Sequence, residues 1–228
     1  MSSYLEGKYM ILIDAVGVLM YSTKTEKLIK DYLISLDFEE IFVEEVLKSM
    51  HKYDFGDCFT TKEWFSSFKQ ELDFYNNILS EIIDKIDPSK QKIIFQSLYN
   101  FLPFNQRILY DDTKLYLEKL SKLDKVVLVS NAHASMFQLL EKFDIKRYFY
   151  KIYLSCDLAC AKPSRIFFEK VLSDLGVKAK SCFYIDDCKQ NIIEASKLEI
   201  NSILIDRKTD SAEIKNLKDF YEKIRTEY

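Results

Sequence analysis

Tyr9-Met10-Ile11-Leu12-Ile13-Asp14 decides how the rest of the chain is read. A continuous apolar run closed by a carboxylate is the pattern of a strand buried on both faces of a parallel sheet. Open α/β sheets bind ligands in the crevice at the C-terminal ends of their strands, so Asp14 stands where chemistry is expected. Ahead of the run, Met1-Ser2-Ser3-Tyr4-Leu5-Glu6 has neither a cationic leader nor an apolar stretch, and a cytoplasmic protein is expected.

From about residue 22 to residue 101 the pattern becomes helical. Apolar residues recur at helical spacing, as in Leu28, Tyr32 and Leu36, or Trp64, Phe65, Phe68 and Leu72. Asp37 and Thr60 are expected N-caps, Thr60 with Glu63 in capping-box spacing, and Pro88 is expected at a first helical position. The reading is roughly five helices with no strand, and the aromatic residues Tyr53, Phe55, Phe59, Trp64, Phe68, Phe74 and Tyr75 are assigned mainly to their core. His51 is read as structural.

After Pro103 strands and helices alternate, the mark of a doubly wound sheet. Strands are expected at Lys125-Val126-Val127-Leu128-Val129, Tyr150-Lys151-Ile152-Tyr153-Leu154, Ser181-Cys182-Phe183-Tyr184-Ile185 and 202–205. Helices are expected over 112–120, 134–143, from Pro163 to a stop at Gly176, 191–198 and 212–224. The expected fold class is therefore α/β, a doubly wound parallel sheet with an inserted all-α unit. The expected domains are a core of residues 1–20 and 105–228 and a helical unit of residues 21–104.

Composition sets the boundaries of function. The 228 residues carry a net charge of −3, which leaves no basic surplus for nucleic acid or an anionic membrane surface. No apolar stretch approaches the roughly 18 residues of a membrane span. Gly 4 and Pro 3 fall far below the roughly sixteen and eleven of an average chain this long, so long elements and short loops are expected. Cys58, Cys156, Cys160, Cys182 and Cys188 form no Cys-x-x-Cys pair and are read as free thiols.

Right-handed crossovers place all strand C-termini of a parallel sheet on one edge, which gathers Asp14, Ser130-Asn131, Lys162-Pro163 and Asp186-Asp187. Three carboxylates and a lysine form a divalent-cation site with a counter-charge. Mg²⁺ is the expected ion because it favours oxygen ligands and substrate phosphates. Asp14 is a candidate for ligand and nucleophile together, since carboxylates form aspartyl-phosphate intermediates.

These residues resemble the four motifs of the haloacid dehalogenase superfamily, in the subgroup with a helical cap after the first strand. The motifs are Ile13-Asp14-Ala15-Val16-Gly17-Val18-Leu19, Val129-Ser130-Asn131, Ala161-Lys162-Pro163-Ser164-Arg165-Ile166-Phe167, and Tyr184-Ile185-Asp186-Asp187 with Asn191. The resemblance implies a Mg²⁺-dependent phosphatase of a small phosphorylated metabolite. It makes Asp14, Ser130 and Lys162 catalytic, with Asp14, the Val16 carbonyl, Asp186 and Asp187 at the metal. Ser130 and Asn131 are implied to hold the phosphoryl group, and Gly17 to permit the tight backbone beside it.

Val16 departs from the pattern, because most phosphatases of the superfamily have there a second aspartate that exchanges a proton with the leaving group. General acid–base catalysis is typically worth 10²–10⁴-fold, so a catalytically impaired phosphate-binding protein is an alternative. Haloacid dehalogenases also lack that aspartate, but they typically lack the acids of motif four as well. Each residue also has a plainer reading. Asp14 would be a turn residue, Ser130-Asn131 and Asp187 helix caps, Lys162 a surface lysine, and His133 a solvated residue in a first helical turn rather than a substitute acid.

Overall fold

The computed structural model describes residues 9–23, 25–51, 65–209 and 212–226. Five parallel strands form the central sheet: β1 (Met10–Ile13), β4 (Lys125–Ser130), β5 (Phe149–Leu154), β6 (Cys182–Asp186) and β7 (Asn201–Leu204). Their order is β5-β4-β1-β6-β7, so β1 is central and the winding reverses beside it. Ile13 pairs with Leu128 on one side and Ile185 on the other, so the ends of β4 and β6 flank the residues that follow β1.

Alternation of side chains across these strands makes two cores. Ile11, Ile13, Val126, Leu128 and Ile185 face helices α5 (Thr113–Leu123), α6 (Ser135–Lys142) and α10 (Leu217–Arg225). Leu12, Val127, Val129 and Tyr184 face α8 (Arg165–Leu175) and α9 (Lys189–Lys197). The short α7 (Ser155–Leu158) follows β5 directly. Gly176 closes α8 at φ +66, the left-handed C-cap conformation expected of it.

The inserted helices are α1 (Thr25–Ser35), α2 (Glu40–His51), α3 (Phe68–Ile83) and α4 (Gln91–Asn100), packed around a separate cluster that includes Leu33, Val43, Tyr75, Leu79 and Leu98. Chain enters and leaves this unit through an antiparallel ribbon of β2 (Met20–Ser22) and β3 (Arg107–Leu109). Sequence patterning missed the ribbon because three residues are too few to show a period of two. Arg207 braces it from the core. Its guanidinium donates to Val18 O at 2.6 and 3.0 Å, pairs with Asp112 and lies 3.9 Å from the Tyr110 ring centroid.

Several helix starts differ from expectation, each for a visible reason. Spacing that begins at Trp64 gives a helix starting only at Phe68, with Ser67 as its N-cap, because the backbone of Phe65 is bonded to His133 and Ala134 instead. Asp37 is not an N-cap but a left-handed turn residue, φ 63. Pro88 lies in the turn before α4, whose helical bonds begin at Gln91. Asp112 occupies the N-cap position of α5, but its carboxylate accepts from Leu217 N and faces Arg207. Helix α8 starts at Arg165, two residues after Pro163, because Lys162 is held outside it. The helix expected over 212–224 begins only at Leu217, because Asp206 N donates to Ile214 O and Asn216 caps α10.

The expected Thr60 cap, Cys58, Tyr53, Phe55, Phe59 and Trp64 lie outside the described residues. Cys156, Cys160, Cys182 and Cys188 are free thiols. No described helix is long and apolar enough to cross a membrane.

Leu128 is wholly buried at the centre of the sheet. Leu128→Ala is expected to cost 2–5 kcal/mol by denaturant unfolding, at an unchanged m-value.

Candidate active site

Asp14 follows β1 directly, Ser130 ends β4 and Asp186 ends β6, so three adjacent strands deliver them to one place. Asp14 N donates to Ile185 O at 3.1 Å, extending the ladder one residue beyond the strand. The side chain of Lys162, 1 % exposed, enters from the loop before α8. Its ammonium donates to Asp14 Oδ1 and Asp186 Oδ2, both at 2.6 Å, and to Val129 O at 2.9 Å. All three of its protons are thereby committed.

Asn131 holds Lys162 there. Its Oδ1 accepts from Lys162 N at 2.8 Å and its Nδ2 donates to Lys162 O at 2.9 Å. Both polar groups of this side chain, expected on substrate, are thus occupied in positioning the lysine. The Lys162-Pro163 peptide is cis.

Asp186 is held from every side. Besides Lys162, its Oδ2 accepts from Asn191 Nδ2 at 3.0 Å and from the hydroxyl of Tyr184, while its Oδ1 accepts from Cys188 N at 2.7 Å. Tyr184 was not among the sequence candidates, although it lies two residues before Asp186 and so on the same face of the strand. Burial and the neighbouring acids push its phenol well above the usual tyrosine range.

Asp187 turns toward the first loop. A Cβ on Gly17 would stand 2.0 Å from Asp187 Oδ2, and Gly17 has φ +92. Glycine is therefore required there twice over, for its backbone conformation and to admit the carboxylate. Asp14, Asp186 and Asp187 each offer an oxygen within 4.8 Å of the others.

The electrostatics are unbalanced. Burial, reinforced by Asp186 and Asp187 and opposed by Lys162, pushes the Asp14 carboxyl up to about 7. Asp187 is raised by burial and by Asp186. Burial disfavours the Lys162 ammonium, but the two carboxylates overcome this and hold its pKa above the ordinary lysine value. One fixed positive charge faces three acids, and an oxygen-donor set with surplus negative charge suits a hard divalent cation.

On the helical side, α3 sends Glu71 into the core. Glu71 Oε1 accepts from Ser135 Oγ at 2.7 Å and Oε2 from Ser135 N at 3.0 Å, at the N-terminus of α6. Burial raises its pKa and the Ser135 bonds pull it down. Next to it, His133 Nδ1 accepts from Phe65 N at 3.3 Å and the two rings lie 4.8 Å apart. His133 is 7 % exposed, not solvated as expected, because the chain leading into α3 covers it. Glu71 had a sequence signal that went unread: a charged residue inside the apolar stripe of Phe68, Leu72 and Tyr75.

A Rossmann-like sheet with this carboxylate–lysine cluster at its C-terminal edge and a helical insertion after the first strand defines a class of hydrolase. The chain belongs to the haloacid dehalogenase-like hydrolase family, whose model matches residues 31–205. No curated protein matches it. Among solved structures it is similar to a HAD phosphatase from Thermococcus onnurineus, with 16% identity over 95% of this chain and 97% of that one and a TM-score of 0.64. A 2-haloacid dehalogenase from Pseudomonas syringae pv. Tomato DC3000 is similar with 17% identity, coverage of 96% and 99%, and a TM-score of 0.61. A HAD-family enzyme from Bacteroides thetaiotaomicron, in complex with magnesium and inorganic phosphate, is similar with 23% identity, coverage of 90% and 98%, and a TM-score of 0.57. These likenesses establish the fold.

A carboxyl held near 7 in the folded chain and near 3.8 in the unfolded one binds its proton more tightly when folded. It therefore costs no stability below about pH 4 and a rising amount up to pH 7. In chelator, Asp14→Asn is expected to raise Tm relative to the parent at pH 8, with the gain vanishing by pH 4.

Proposed function

We propose that this chain is a Mg²⁺-dependent phosphatase of a small phosphorylated metabolite, working through a phospho-aspartate on Asp14, with residues 21–104 as its cap. The observation that carries the reading is the cluster of buried Asp14 and Asp186 with exposed Asp187 against the single charge of Lys162. Asp14, the Val16 carbonyl and Asp186 would hold the ion, with Asp187 as a further ligand or its partner. Bound there, Mg²⁺ supplies Lewis acidity toward a phosphate oxygen and the missing positive charge.

The chain's own residues account for the rest. Asp14 attacks phosphorus through one carboxylate oxygen, and the bond from phosphorus to the leaving oxygen breaks with its electron pair on that oxygen. Ser130 donates to the transferring group and Lys162 balances its charge, the electrostatic stabilisation on which phosphoryl transfer depends. Water then attacks phosphorus, Asp14 departs as a carboxylate, and both protons of the water remain with the released phosphate.

Val16 has no proton to give, so departure of the first leaving group is unassisted at that position. This favours one second reading, a phosphate-binding protein that has lost turnover. Dehalogenation is disfavoured because haloacid dehalogenases work without a metal, and with no cation between them Asp186 and Asp187 would only repel a haloacid's carboxylate.

Asp186→Asn is expected to reduce Mg²⁺ affinity at least tenfold by calorimetry; parental affinity would overturn the site. Val16→Asp is expected to raise alkyl phosphate turnover by about 10²–10⁴-fold, and no gain with Mg²⁺ still bound would favour the binding protein.

A further inference from the structure

Ser155 is the first residue after β5 and is wholly buried. Its hydroxyl oxygen accepts from Ala132 N at 3.0 Å and donates to Ala132 O at 3.3 Å, and Cys156 N reaches the same carbonyl at 3.4 Å. A serine hydroxyl carries one proton and two lone pairs, so it can serve both groups of one residue at once. The ladder between β4 and β5 ends at the pair Ser130 and Leu154. Beyond it, this side chain carries the pairing on where the strands stop.

The sheet alone holds Ser130 from one side. Pairing of β4 with β1 stops at Leu128, so only β5 fixes Val129 and Ser130. Asn131 then lies between two anchored neighbours, with its own side chain bonded to both backbone polar groups of Lys162. Ser155 and Lys162 belong to the same connection between β5 and α8, so one short segment secures two consecutive residues after Ser130. The next three residues are bonded to the helical unit instead, His133 and Ala134 to Phe65 and Ser135 to Glu71. At Ala132 the hold of the α/β core on this turn passes to the helical unit.

A donor helps a transferring phosphoryl group only when it is aimed, and misplacement by 1 Å can cost about 10²-fold. Resting on the reading of this turn as the phosphate holder, we infer that Ser155 is a positioning residue for it. By fixing the Ala132 backbone, Ser155 aims the Ser130 hydroxyl and the Asn131 N–H at the phosphoryl oxygens. A hydroxyl that merely satisfied a buried peptide would affect stability and leave phosphate binding by the folded chain unchanged.

Inorganic phosphate titrated calorimetrically into the full, Mg²⁺-loaded chain separates these roles whether or not the chain turns over. Ser155→Ala removes the hydroxyl. Ser155→Cys fills the same space with a weak donor and acceptor, which keeps the test open if the alanine variant does not fold. Each is expected to lower phosphate affinity about tenfold. Mg²⁺ affinity is expected to stay within twofold of the parent, since the bonds of Ser155 go to Ala132 and not to the acids. Ser130→Ala is expected to cost about tenfold less phosphate affinity in the Ser155→Cys background than in the parent, because a hydroxyl no longer aimed has less to lose. Equal costs in the two backgrounds, parental phosphate affinity in the folded Ser155 variants, or a parallel fall in Mg²⁺ affinity would overturn the inference. A parent that binds no phosphate with Mg²⁺ present, or binds it equally well after Ser130→Ala, would instead overturn the reading of the site, and the inference with it.

Discussion

The Lys162 ammonium is the interaction on which the site depends. It bonds the carboxylate after β1, the last backbone carbonyl before Ser130 in β4 and the carboxylate ending β6. Three strand ends are thus tied at a point where, without it, two buried anions would face each other. Taking such charges out of water costs several kcal/mol per ion unless each finds partners, which explains the saturation of Asp186 by Lys162, Tyr184, Asn191 and Cys188 N. The same arrangement leaves Asp14 underpaid in charge and raises its carboxyl. A bound cation would relieve what one lysine cannot.

Much of this was legible in the sequence. Five apolar runs appeared as the five sheet strands within a residue or two, because strands buried on both faces are continuous in hydrophobicity. Asp14, Ser130, Lys162 and Asp186 were legible because strand ends in a parallel sheet converge. What could not be read were partnerships across long separations. The engagement of Asn131 with the backbone of Lys162, of Glu71 with Ser135 and of Phe65 with His133 leaves no trace in local periodicity. Those contacts moved the starts of α3 and α8 and buried His133.

The helical unit and the core meet with different chemistry on each side. Around a cavity of about 50 Å³, Val16 and Asn131 stand on the core side, and aromatic rings, Glu71 and Arg107 stand on the helical side. If the proposed function holds, such a division would let the α/β part keep one reaction while the inserted part varies, in keeping with a fold shared by a phosphatase and a dehalogenase among the similar structures.

The β2–β3 ribbon gives this division a mechanical form. Paired strands resist sliding past one another, and Thr23 fastens their outer end by donating N–H to Gln106 O at 3.0 Å and its hydroxyl to Gln106 Oε1 at 2.6 Å. Arg207 grips the inner end through Val18 O. Any swing of the helices must therefore be taken up where the ribbon ends, beyond Thr23 and Gln106, rather than at the loop that carries Val16 and Gly17. The loop beside Asp14 is insulated from such a swing, which would leave Asp14 and its partners in place.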